Sequence, residues 1–149
     1  MKSASRGSAT YEGISRYQFS ARLRAAGPAG AAAQTIKGLV DVGLIEGVVS
    51  ACSLKDAYYI LTKQAGEARA REVVRDCLKS YSVEPLDQEA CFTSAYSDEP
   101  DFEDGCIRAM AERAGVDFII TRDRAAFVRS TIKTFSPAEF IRAFPIPEE

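Results

Sequence analysis

Residues able to do chemistry are concentrated between Asp101 and Asp123, in DFEDGCIRAMAERAGVDFIITRD. Asp101, Glu103 and Asp104 cluster where a helix should begin. The stripe Cys106, Ile107, Met110, Ala111 and Ala114 carries that helix forward. A strand then delivers Thr121, Arg122 and Asp123 at its far end. Farther back, Asp56 follows the strand-like run Gly47-Val48-Val49-Ser50. Sites in open parallel sheets lie outside the carboxyl ends of the strands, so Asp56, Asp104 and Asp123 are expected at one edge. Carboxylates gathered there repel one another unless a cation sits between them. Hard oxygen ligands favour magnesium or manganese over zinc. A pair of such ions about 3.5–4 Å apart activates water and stabilises the leaving oxygen of a phosphodiester. The chain has no histidine, which excludes Ser-His-Asp triads, Cys-His pairs, imidazole bases and His-ligated zinc. Metal-activated water is then the most economical nucleophile.

Each of these residues also has a structural reading. Asp56 lies three residues after Ser53, and Asp104 three after Asp101. At that position a carboxylate satisfies orphan amides and the helix dipole without any metal. Asp123 can cap the turn that follows it, and Asp101 is a further candidate ligand as well as a cap. Singly, capping is the commoner role; jointly, at one end of a sheet, the ligand reading gains ground. Thr121 either donates its hydroxyl to a ligand or water, or finishes the strand. Arg122 and Arg124 can hold phosphate, or stand exposed with no such role.

The elements that must position these residues are legible from apolar spacing. A helix is expected from Ala31, ended by Gly43, and a buried strand over 47–50. Ser53 should cap the next helix, which Gly66 breaks. A helix over 67–80 leads to a strand over 81–84, then to a short helix near 87–96. The helix at 102–114 precedes a strand over 117–121, a helical turn around 125–128 and a last strand near 131–135. Ser136, Pro137 and Glu139 mark the final helix with a capping box. Tyr17 and Phe19 give a weaker strand signal. Strands and helices alternate, so a doubly wound α/β sheet with parallel strands is expected.

With 149 residues, 46% apolar and 27% charged, the chain has the size and composition of one soluble domain. No apolar run approaches the roughly 20 residues that span a bilayer, and the N-terminus lacks an apolar signal core. The expectation is a cytoplasmic protein with no membrane contact. Cys52, Cys77, Cys91 and Cys106 form no CxxC pair and read as small buried hydrophobes. Residues 1–40 hold six basic residues and one acid, leaving 13 basic and 20 acidic residues in the remainder. The basic arm could touch nucleic acid, but a solvated tail is the simpler reading. Residues 1–28 are therefore set apart as an atypical, disordered N-terminal segment, ahead of a domain over 29–146. The Gly-rich stretch Gly27-Pro28-Ala29-Gly30 lacks a strong preceding strand and a P-loop lysine. A carboxylate-based phosphohydrolase acting on small phosphate esters is thus a weaker alternative. No GxGxxG supports a dinucleotide fold.

The runs VSACSLKDAYYIL, DEPDFEDGCIRAMAERAGVDFIITRD and SPAEFI, in this order, resemble the PIN-domain nucleases. The likeness is closest to the bacterial branch that includes toxins of type II toxin–antitoxin modules, and it covers roughly residues 36–144. It implies a PIN-like α/β/α sandwich with a central parallel sheet, and a metal-dependent endoribonuclease. By motif, Asp56, Asp104 and Asp123 match the family's second, third and fourth acids, which bind magnesium or manganese. The resemblance further implies an RNA substrate, an antitoxin partner and a homodimer. One departure matters. The family opens with an aliphatic strand ending in aspartate, whereas the first aspartate here is Asp41, inside the helix from Ala31. One central strand and one ligand are therefore expected to be absent or replaced, with residues 1–28 not ancestral, through a frameshift or a misassigned start. Such a chain is a weakened nuclease, or a catalytically degenerate module that binds RNA or an antitoxin-like peptide.

Overall fold

A computed structural model of the chain describes residues 17–19 and 28–145. The elements are β1 (Tyr17–Phe19), α1 (Pro28–Asp41), β2 (Gly47–Ser50), α2 (Ala51–Ala65), α3 (Glu67–Ser80), β3 (Tyr81–Glu84), α4 (Gln88–Ala95), α5 (Phe102–Ala114), β4 (Phe118–Ile120), a 3-10 turn (Ala125–Phe127), β5 (Lys133–Phe135) and α6 (Pro137–Ala143). The five strands form one sheet in the order β3-β2-β1-β4-β5, with every pair parallel. The expected α/β class and its parallel sheet are what the chain adopts.

The weakest strand signal occupies the middle of the sheet. Gln18 pairs with Val48 of β2 on one side and with Ile119 of β4 on the other. A strand thus stands in the central position of the family's aliphatic, Asp-ending strand, which was expected to be absent or replaced: it is replaced, not absent. It lies inside the segment 1–28; the disorder expected for the rest of that segment concerns residues outside the described ones.

Side chains alternate across the sheet, as the period of two requires. Val48 and Ile119 face α4 and α5, where they pack with Ala90, Cys106, Ile107, Met110, Ala111 and Phe127. Ile120 faces the other way, toward Ile36 of α1 and Phe140 of α6, with Phe118, Phe135 and Phe144 around them. Val49 shares that side with Val40 and Tyr81. Helices on both faces complete the three layers. Cys106 is buried, Cys52, Cys77 and Cys91 are half-buried, and all four are free thiols.

One boundary differs from the sequence reading in a way that affects the site. Ser50, not Ser53, caps α2: its hydroxyl accepts the Ser53 amide at 3.0 Å and donates to the Ser53 hydroxyl at 2.8 Å. Strand β2 passes into helix α2 with no loop between them. Asp56 therefore sits in the second turn of α2, beyond the orphan amides, and its capping role is removed. The end of the chain follows the sequence closely. Ser136 and Glu139 form the reciprocal capping box of α6, with Pro137 at its start.

Candidate active site

Helices α2 and α5 bring two carboxyl groups into contact. Asp56 and Glu103 share a hydrogen bond, which raises the pKa of Glu103; burial adds to this, and repulsion from Asp56 and Asp101 adds further. Lys55 opposes the rise, with its Nζ 2.9 Å from Asp56 Oδ1. The half-buried Cys52 thiol has its pKa pushed up by burial and then by the charges of Glu103 and Asp56. Two acids held together this way are an unfavourable arrangement for an isolated protein, since each disfavours ionisation of the other. Helix α2 follows β2 directly and carries Asp56 in its second turn, on the side of that strand's carboxyl end.

The start of α5 is fixed by local hydrogen bonds and by one close contact. Asp101 is its N-cap, and Asp101 Oδ1 accepts the Asp104 amide at 3.0 Å. Glu103 and Asp104 occupy the first turn, where carboxylates meet the positive end of the helix dipole. Asp104 is half-buried and Glu103 exposed. Gly105 allows α4 to approach. A Cβ built there would collide with Ser94 Oγ and lie 3.0 Å from Ser94 Cβ. The Ser94 hydroxyl donates to the Phe102 carbonyl at 2.6 Å, tying the end of α4 to the first residue of α5. At the far end, Gly115 terminates α5 in the left-handed conformation at φ 63°.

Beyond β4, Thr121 is buried, and its hydroxyl accepts the Asp123 amide at 3.1 Å. Asp123 Oδ1 in turn accepts the Ala126 amide at 3.4 Å, reaching past Arg124, the N-cap of the 3-10 turn. Arg124 pairs with Glu139 of the capping box at 2.7 Å. Arg122 is exposed.

Asp56 is thus brought against α5, where Glu103 is one of its partners. Glu103 stands in the same DFED cluster, but nothing in its spacing marks a contact with α2. Among the described residues, no three Asp, Glu or Cys side chains gather closely enough to hold a metal ion. In donor type the Asp56–Glu103 pair fits a hard divalent cation, which takes carboxylate oxygens and relieves exactly this kind of repulsion. Asp101 and Asp104, on the same first turn and its cap, are the nearest further oxygen donors along the chain.

Comparison with known proteins agrees with this architecture. The sequence profile of the PIN domain matches residues 19–125. A search by sequence among curated proteins finds no match. Among solved structures, FitAB bound to an IR36 DNA fragment has a similar chain, with TM-score 0.60 and 17% identity over 81% of this chain and 94% of that one. VapBC from Salmonella typhimurium, bound to DNA, gives TM-score 0.57 and 13% identity over 83% and 98%. VapC20 of Mycobacterium tuberculosis, described as a Sarcin-Ricin loop cleaving toxin, gives TM-score 0.51 and 20% identity over 70% and 86%. At these identities the solved structures speak for the fold, while the profile covers most of the chain: the protein belongs to the PIN-domain family.

Proposed function

We propose that this chain is a divalent-metal-dependent endoribonuclease and the toxin of a toxin–antitoxin pair. The observation that carries the reading is the contact between Asp56 and Glu103, two acids from different helices held together on the side of a strand's carboxyl end. Asp56, Asp104 and Asp123 would hold magnesium or manganese, with Glu103 and Asp101 beside them. The bound ion supplies Lewis acidity toward water and toward the phosphodiester. Asp123 can take that role through Oδ2 while Oδ1 accepts the Ala126 amide, and Thr121 sets the direction of the Asp123 backbone. Arg122 supplies positive charge for phosphate. Arg124, which holds Glu139 through one Nη1 contact, keeps further guanidinium donors for the same use. Support for RNA as substrate comes from the similar VapC20, which is described as cleaving the Sarcin-Ricin loop. The similar FitAB and VapBC chains support an antitoxin partner, and a homodimer follows from the family resemblance.

A second reading, a PIN-like module that binds RNA or an antitoxin-like peptide without cutting, is favoured by one observation. The residue after β1 is Ser20, so the central strand hands no acid to the site. One assay separates the two. With single-stranded RNA in manganese, the nuclease reading expects cleavage that falls at least about a hundredfold in Asp104→Asn, the order lost with a charge-stabilising group. Absence of cleavage at every manganese and magnesium concentration would leave the binding module.

A further inference from the structure

We propose that the face of α2 running away from Asp56 is the binding track for single-stranded RNA, with Tyr59 stacking on a base and Lys55 and Lys63 taking flanking phosphates. This rests on RNA being the substrate, and it assigns Tyr59 and Lys63, which the acid chemistry leaves unused, together with Lys55, which also pairs with Asp56. Lys55, Tyr59 and Lys63 recur every four residues, so they share one face of the helix over roughly 12 Å. Asp56 starts that face, beside Lys55. The Lys55 side chain is 77% exposed, and Tyr59 is 59% exposed although the Lys63 ammonium lies over its ring, 4.3 Å from the centroid.

The neighbouring tyrosine shows what a structural role looks like here. The Tyr58 hydroxyl donates to Glu67 at 3.1 Å, and Arg71 lies over its ring, so Tyr58 joins α2 to α3. Tyr59 lies about 100° farther round the helix. An exposed ring on a helix adds little to stability, whereas rings interleaved with cations form a stacking platform for unpaired bases. Phe102 is a second exposed ring. It is the first residue of α5, next to Glu103. A duplex keeps its bases stacked and paired, so this arrangement selects a single strand. An acidic peptide would use the lysines but has no bases to stack on Tyr59.

The test uses the full chain carrying Asp104→Asn, so that a bound strand is not consumed. A short fluorescent single-stranded RNA and a matching duplex are titrated by polarisation. Tyr59→Ala should weaken single-strand binding about tenfold or more, Tyr59→Phe should retain it, and neither should alter duplex binding. Lys63→Gln should reduce the slope of log affinity against log salt by about 0.7. Thermal melts of each variant establish that the surface changes leave the fold intact. Unchanged single-strand affinity in Tyr59→Ala, equal losses on single strand and duplex, equal losses in the Phe and Ala variants, or no single-strand binding at all would each overturn the proposal. The nuclease reading fails separately. A wild-type chain that never cleaves but loses single-strand binding with Tyr59→Ala keeps the track and discards the enzyme. A chain that cleaves equally well with Tyr59→Ala does the reverse.

Discussion

Glu103 sits in a balance between the carboxyl group of Asp56 and the ammonium of Lys55, and that balance sets a pH dependence. Its pKa is raised, chiefly by the hydrogen bond to Asp56. Below the ordinary carboxylate range both folded and unfolded chains carry the proton, and the pair costs nothing. As pH rises through the raised value, the folded chain must give up a proton that it holds more tightly than the unfolded chain does, so stability falls. Glu103→Gln removes that loss. The variant should melt above the parent at pH 7 without divalent ions, by less than about 1 kcal/mol because the pair is largely solvated, and the two should coincide at about pH 3. A parent that is the more stable at pH 7 would show that Lys55 outweighs the repulsion. Asp56 was legible in the sequence from its place after a strand, but its environment was not. Ser50 and Ser53 are both good caps, and spacing cannot say which one ends the strand. Nor could sequence show that Asp56 meets Glu103, because that contact depends on where α2 lies relative to α5.

Helix α5 is held by contacts that the sequence displays only in part. Its caps at Asp101 and Gly115 and its apolar stripe are visible in the chain, but the close approach of α4 is not. Gly105→Ala should cost about 1–3 kcal/mol, since the new methyl group meets Ser94 and the helices must separate. Urea unfolding measures this, and a neutral result would mean that Ser94 moves away freely. A second constraint is the Glu99 carboxyl group, whose side chain is only 2% exposed. It accepts from Arg108 of α5 at 2.7 Å, with Arg129, beyond the 3-10 turn, at 3.9 Å. Glu99 thus joins the loop before α5, the helix itself and the segment that follows Asp123. Glu99→Ala strips Arg108 of a buried partner and should cost about 3 kcal/mol, whereas Glu112→Ala, at an exposed partner of the same arginine, should cost under about 1 kcal/mol. Equal losses in the two variants would remove Glu99 from this role. By contrast, the capping box of α6 was readable in full, because every one of its contacts lies within four residues.

The whole molecule depends on a strand that its own sequence barely announces. Helix and strand alternation, read from residues 31–144, was enough to give the parallel sheet and its layers, because apolar periodicity reports which faces are buried. Strand β1 has three residues, Tyr17–Phe19, too few for periodicity to register. Its position is set by what lies beside it: β2 and β4 each offer a row of backbone groups, and β1 pairs with both. Backbone pairing needs no aliphatic side chain, so the sheet can keep its middle strand while the residue after it is not an acid. This separates fold from chemistry and leads to a prediction for the chain as a whole. Gln18 lies opposite Val48 and Ile119 at once. Proline at that position has no amide to donate, and in the middle of a sheet it breaks the ladder. Gln18→Pro should lower stability by at least about 2 kcal/mol, a lost hydrogen bond together with an unsatisfied partner, and should lower the melting temperatures of both halves of the sheet together. Gln18→Ala keeps the amide and should lose far less. Equal unfolding curves for the Pro variant and the parent would mean that β2 and β4 do not need a strand between them. The sheet would then have to be held by its helices alone, and the distance between Asp56 after β2 and Asp123 after β4 would no longer be set by β1.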